Sequence, residues 1–414
     1  MTPVVPSTDA ATRSPGPLAK AGWYLVFFGF PLGNTYVGML LLLLDKAQQA
    51  LARRWQRQGP ADGLWQRGDV PVHPAVRRLS IFHWGLVATM AVSGVLSEFP
   101  VIALANALAF GLIWSVIARS AIRLPNDQPA WLQERLIPAF LAGSVLSSLF
   151  ALYTYFVQHL KRAETLGTGS NGLGTLLIAV ILVMLSRLAT ANRGRDRILY
   201  VATTVLAMLA LLFSFSRGAW VGFAAAVGLF GLLWPKTRPY LIGLVVVALL
   251  VLAVNTDVRD RAATLLHFWD SRGSLSRIYI WQASVAMIRD HPILGVGAGV
   301  FPFVYERYRH PDAWELEAAF AHNIFLQVFA EFGAVGLVLF LLILLELTRM
   351  ATVLGRKGDA FDRALICALA GIMVHQQVDC TIYSVSNAGA FWLLIGLTAG
   401  RFLAVVAETN SKLS

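Results

Sequence analysis

Apolar residues run in long blocks along most of the chain, separated by short polar connections. A helix that crosses a bilayer needs roughly 20 predominantly apolar residues. Blocks at 79–97, 99–122, 134–159, 173–191, 197–215, 218–235, 239–255, 322–348, 363–383 and 387–407 meet that requirement. A further apolar region, 20–56, is interrupted at Pro31-Leu-Gly-Asn34, and proline and glycine are strong breakers. It forms either one span over 22–44 or a hairpin of two helices. With the hairpin, the pattern predicts an all-α polytopic membrane protein of about 12 transmembrane helices. No internal repeat of fixed period is visible.

The placement of charge orients these blocks. Lys46, Arg53, Arg54, Arg57, Arg67, Arg77 and Arg78 fill one connection, and Arg187, Arg193, Arg195 and Arg197 another. Lys236 and Arg238, then Arg349, Arg356, Lys357 and Arg363, fill two more. Alternating spans put all of them on one side, with Arg119, Arg123 and Arg135. Cytoplasmic loops carry the excess of Lys and Arg, so both termini are expected inside. The opposite connections are 98–99, 160–172, 216–217, 256–321 and 384–386, and apart from the long segment they are expected to be nearly free of charge. Composition agrees with a bilayer as solvent, at 57% hydrophobic and 14% charged. The net charge of +11 then follows from topology, which argues against a nucleic-acid partner.

This order divides the chain into a polar tail, 1–19, nine spans over 20–255, an outer segment, 256–321, three spans over 322–408 and a short tail, 409–414. The first tail is Pro/Ser/Thr-rich and lacks the charged start and apolar core of a signal peptide, so the first span is expected to be retained. Cys367 and Cys380 fall in one apolar block, and on one helix they would stand about 20 Å apart, too far for a disulfide.

Residues 256–321 are too polar to span and nearly balanced in charge, which suggests a small folded helical loop. Ser274 or Ser276 can cap a helix running to about Arg289. Arg277, Trp281, Ser284 and Ile288 would share one face of it. A second short helix is expected over 311–319. Gly295-Val-Gly297-Ala-Gly299 has no strand before it and no βαβ context, so it reads as a tight turn that lays the segment against the membrane domain. Asp257 and Asp260 are expected to pair with Arg259 and Arg261.

Four residues carry candidate chemistry. Arg217 sits at an outer turn where topology gives no reason for a cation, and an arginine so near hydrocarbon must be satisfied. Arg277 opens the amphipathic helix; either it pairs with an acid such as Asp270, or its guanidinium fork holds phosphate. Two such forks beneath a lipid diphosphate would hold it and stabilise the charge that develops as it leaves. His322 stands where the segment re-enters the membrane, at a helix start that favours neutral imidazole and therefore a general base. Asp379, four residues after His375 in the outer part of its span, either packs in the bundle or orients His322. Glu331 is deeper in its span and reads as structural. No acidic pair suggests a metal site, and no metal or other cofactor is expected.

Ser216-Arg217-Gly218, Ser276-Arg277, Trp281, His291-Pro292-Ile-Leu-Gly295-Val-Gly297, Phe301, His322-Asn323-Ile-Phe-Leu-Gln327 and Glu331-Phe-Gly333 occur in an order that resembles the bacterial O-antigen ligase/polymerase family over roughly 200–350. The resemblance implies a multi-span glycosyltransferase of the GT-C type in the inner membrane with its site facing the periplasm. It implies a glycan donor on undecaprenyl diphosphate and, for a ligase, lipid A–core oligosaccharide as acceptor. Arg217, Arg277 and His322 fall on the family's functional positions, with Asp379 alongside. A polymerase or a protein O-oligosaccharyltransferase would share the donor and differ in acceptor. A lipid-linked glycan transporter should instead show mid-membrane charge and inverted repeats, and neither is evident.

Overall fold

The computed structural model describes residues 15–56, 73–266 and 272–412, and the regular elements within them are helices. Residues 20–56 form the hairpin: α1 (Pro17–Gly29) and α2 (Tyr36–Gln56) pack together across the Pro31–Asn34 turn. They are followed by α3 (Pro74–Leu96), α4 (Pro100–Asp127), α5 (Pro129–Phe156), α6 (Ser170–Thr190), α7 (Gly194–Phe213), α8 (Arg217–Leu233) and α9 (Arg238–Val254). Pro17, Pro74, Pro100 and Pro129 open their helices, where the missing N–H has no partner to lose. Among the described residues, eight helices are long and apolar enough to cross a membrane; α1, α2, α8 and the later helix Ala360–His375 are shorter or more polar.

Burial sets the layering. The apolar stretch of α6 is 89% buried and that of α9 only 11%. The first is the axis of the bundle and the second stands at its rim.

After α9 come three helices of the polar segment: α10 (Thr256–Ala263), α11 (Arg272–Asp290) and α12 (Phe301–Tyr308). Ile280, Ala283 and Met287 of α11 pack on Val300, just before α12, and on Phe301 and Val304 of α12, a small core that continues into Ala330. The chain then returns through α13 (Ile324–Lys357), α14 (Ala360–His375) and α15 (Val385–Ser411).

The glycine run is a turn, as its surroundings suggest. It threads into a break in α13 at Gly333, whose φ is 64°. Val296 N–H donates to the Ala330 carbonyl, Gly297 N–H to that of Glu331, and Ala334 N–H to that of Pro292. Gly295 has φ 68°, and a Cβ there would lie 2.3 Å from the Glu331 carbonyl carbon. Only glycine meets both demands. The Glu331 carboxylate accepts from the backbone N–H of Gly299 and of Phe301 and from the Tyr383 hydroxyl. Its role is to anchor the polar segment.

Several local expectations change. Ser274 and Ser276 lie inside α11, which starts at Arg272, rather than capping it. No helix forms over 311–319. There His310 stacks on Tyr279, Trp314 packs edge-on against the same ring, and Arg309 donates to the Ala313 carbonyl. The 363–383 block stops being helical at His375, so Cys380 and Asp379 lie in the following turn; both cysteines are free. Asp257 accepts from the Tyr155 hydroxyl and Arg261 donates to the Phe215 carbonyl, rather than the two forming a pair.

Candidate active site

The end of the bundle that carries the polar segment collects its turns in one place. His322 is delivered by a stapled entry into α13. Asn323 caps that helix, accepting from the N–H groups of Phe325 and Leu326. The Ile324 N–H donates to the Gln376 carbonyl, and the Asn323 amide donates to that of Gln377. The entry is thereby tied to the turn after α14, which holds Asp379. Held at both sides, His322 adopts φ 50°, a left-handed conformation that a non-glycine residue takes at a cost of about 1–3 kcal/mol.

His322 Nδ1 is 3.4 Å from Asp379 Oδ1. Asp379 Oδ1 also accepts from the Cys380 N–H, and Oδ2 accepts from the Asn171 amide. Arg277 Nη2 lies 3.9 Å from Oδ2. Asp270, the other candidate partner of Arg277, lies outside the described residues. Burial alone would raise the Asp379 carboxyl, but His322, His375 and Arg277 outweigh it and hold the group down at about 2.

Arg217 opens α8 and is 5% exposed. Its guanidinium donates to the carbonyl and hydroxyl of Thr264, just past α10, and to the Ser274 hydroxyl on α11. Two arginines that sequence reasoning passed over join it. Arg261 donates to the Phe215 carbonyl. Arg162, on the 157–169 connection, donates to the Ser214 carbonyl and the Asn171 side chain. The 160–172 connection, expected to be nearly charge-free, carries Lys161, Arg162 and Glu164. Arg162, like Arg217, is a cation on the sparsely charged side.

Four guanidinium groups therefore crowd around the 214–217 turn. Arg217 lies in the repulsive field of Arg261 and Arg277. Burial, then Arg261, lowers Arg162 to about 10, with Asp379 partly offsetting. Burial lowers Arg277, and Asp379 again opposes the shift. Each remains a cation near neutral pH. Positive charge crowded this way is relieved by an anion, and planar forks suit the oxygens of phosphate.

His375 does not pair with Asp379 along a helix face. Its Nδ1 is 2.9 Å from the Thr175 hydroxyl, and its Nε2 is 3.5 Å from the Ser216 hydroxyl, which supports the turn from beneath. Thus Arg217, Arg277, His322 and Asp379 are brought to one seam between the polar segment and the bundle. The arrangement offers a cationic cradle beside an imidazole backed by a carboxylate. No curated protein matches the chain. A family model described as O-antigen ligase matches residues 202–341, from α7 into α13.

Proposed function

We propose, from the match of residues 202–341 to a family model described as O-antigen ligase, that the chain transfers polysaccharide from undecaprenyl diphosphate to lipid A–core oligosaccharide at the periplasmic face of the bacterial inner membrane. The observation that carries this reading is the convergence of Arg162, Arg217, Arg261 and Arg277 beside the His322–Asp379 pair.

In the proposed reaction Arg217 and Arg277 grip the diphosphate, with Arg162 and Arg261 adding to the field. Asp379 faces Nδ1 of His322, so the other ring nitrogen is the one that meets substrate. It takes the proton from an acceptor sugar hydroxyl. That oxygen bonds to the anomeric carbon from the side opposite the leaving group. The bond from that carbon to the diphosphate oxygen breaks, and the polyprenyl diphosphate departs with the electron pair. The configuration at carbon inverts. The arginines stabilise the charge on the leaving group, so departure needs no acid. Asp379 stabilises the imidazolium until the proton is released to solvent.

The test is reconstitution of the purified chain with undecaprenyl-diphosphate glycan and lipid A–core, without nucleotide or added metal. Ligated lipopolysaccharide is the expected product. Growth of the lipid-linked glycan in place of ligation would assign a polymerase, and an unreacted donor would refute the transfer reading.

A further inference from the structure

The proposed reaction leaves one buried imidazole unused. His375, the last residue of α14, is 1% exposed and lies beneath the site. It fits a notch in α8. A Cβ on Gly218 would come 2.7 Å from the ring carbon Cδ2, and one on Gly222 would come 3.2 Å from the His375 Cβ. The two glycines are one helical turn apart, so the start of α8, which carries Arg217, rests its backbone on the imidazole.

Both ring nitrogens face hydroxyls. Nε2 meets that of Ser216, the residue from which α8 springs. Nδ1 meets that of Thr175 on α6. From Thr175 the contacts run on to the Thr381 hydroxyl at 2.6 Å, which accepts from the Gln376 side-chain amide at 2.9 Å. The Gln376 side-chain oxygen accepts from the Ile382 N–H. Its backbone carbonyl accepts from the Ile324 N–H at 3.0 Å, two residues past His322. Ser216, Thr175, Thr381 and Gln376 are all buried. In so dry a setting each contact constrains the next, because a hydroxyl has a single proton to give.

We propose that His375 is a positioning residue, the pivot of a buried relay that holds the Arg217 turn in register with the His322 entry. The inference rests on the transfer reading above and adds what aligns the phosphate-binding group with the base. Helices α8 and α13 reach the site from different parts of the chain, and the relay is a hydrogen-bonded route between their first turns. An imidazole suits the pivot because its two nitrogens lie on different edges of one rigid ring, one turned to α6 and the other to α8.

The two nitrogens can be removed one at a time. Asparagine places an amide atom where Nδ1 stands, and glutamine places one near Nε2. In the full-length protein, His375→Asn keeps the Thr175 contact and loses Ser216, and His375→Gln does the reverse. His375→Asn should raise KM for the undecaprenyl-diphosphate glycan roughly tenfold and leave KM for the acceptor unchanged. His375→Gln should return the donor KM to within about threefold of wild type, although both variants melt lower. Ser216→Ala breaks the same contact without disturbing the ring, and it serves alone where a ring replacement fails to fold. It should reproduce the rise, and combined with His375→Asn it should add nothing further. A residue that only fills space would lower the melting temperature in these variants and leave donor KM unchanged. That result would overturn the proposal, as would equal donor KM in His375→Asn and His375→Gln. If wild type transfers no glycan, the same pattern in the Kd for undecaprenyl diphosphate would support the relay and sink only the transferase reading. A Kd that ignores the substitutions, or no binding at all, would sink the relay.

Discussion

The polar segment meets the bundle in two places built on opposite electrostatic plans. At the Glu331 anchor one buried carboxylate is surrounded by donors: two backbone N–H groups and the Tyr383 hydroxyl. At the arginine site, cations face one another across a turn, with Asp379 near the edge of the group. The anchor is satisfied as it stands. The site carries strain and repulsion, with left-handed backbone at Phe215 and His322. A structure that saturates hydrogen bonds at one contact and crowds like charges at another gains its stability at the first. On the proposed function the second is kept for a ligand or a reaction.

The largest expected effect breaks the site while leaving the anchor whole. His322→Ala should lower glycan transfer by roughly 10²–10⁴-fold, the usual contribution of a general base. Its melting temperature should fall less than that of Glu331→Gln, because the substitution removes no contact of the anchor. Next, Arg277→Lys should lower transfer by roughly a hundredfold despite keeping the charge, because an ammonium cannot present a planar fork. Full activity in that variant would reduce Arg277 to a point charge.

The converse change breaks the anchor. Glu331→Gln sets an amide against the N–H groups of Gly299 and Phe301. It should cost about 1–3 kcal/mol of stability, read by thermal unfolding. Residual transfer per folded molecule should fall much less than in His322→Ala, and an equal loss would erase the distinction between the two contacts.

The smallest effect concerns pH. The folded Asp379 carboxyl is held at about 2, below its ordinary value. Its ionised form therefore stabilises the fold, fully above about pH 5, and that contribution is lost as pH falls through about 4 toward 2. The melting temperature should lose nothing to Asp379 between pH 5 and 8. Below about pH 4, wild type should lose stability faster than Asp379→Asn, a difference that differential scanning fluorimetry can resolve.

Much of this was visible in the sequence, for physical reasons that also mark where visibility ended. Apolar blocks and the one-sided basic connections specify the helices and their alternation, because a bilayer imposes length and charge rules on each span. Arg217 stood out because no topological rule placed it there. Arg162 obeys the same rule, but it lies in a connection whose average charge is small. Arg261 has an acid beside it in sequence, whereas its partner is a carbonyl 46 residues away. The end of α14 was masked because Val378, Cys380 and Ile382 keep the block apolar through a turn that the protein, not water, surrounds. The missing helix at 311–319 shows tertiary aromatic packing overriding helix-forming composition.

On the proposed function the loop–bundle seam is a diphosphate site. Thermal unfolding of the purified protein against rising undecaprenyl diphosphate tests it most directly, since a ligand of the folded state raises the melting temperature with concentration. Such a rise is expected, retained in Glu331→Gln and lost when Arg217 and Arg277 are both replaced by alanine. No rise, or a rise undiminished without the two arginines, would contradict it.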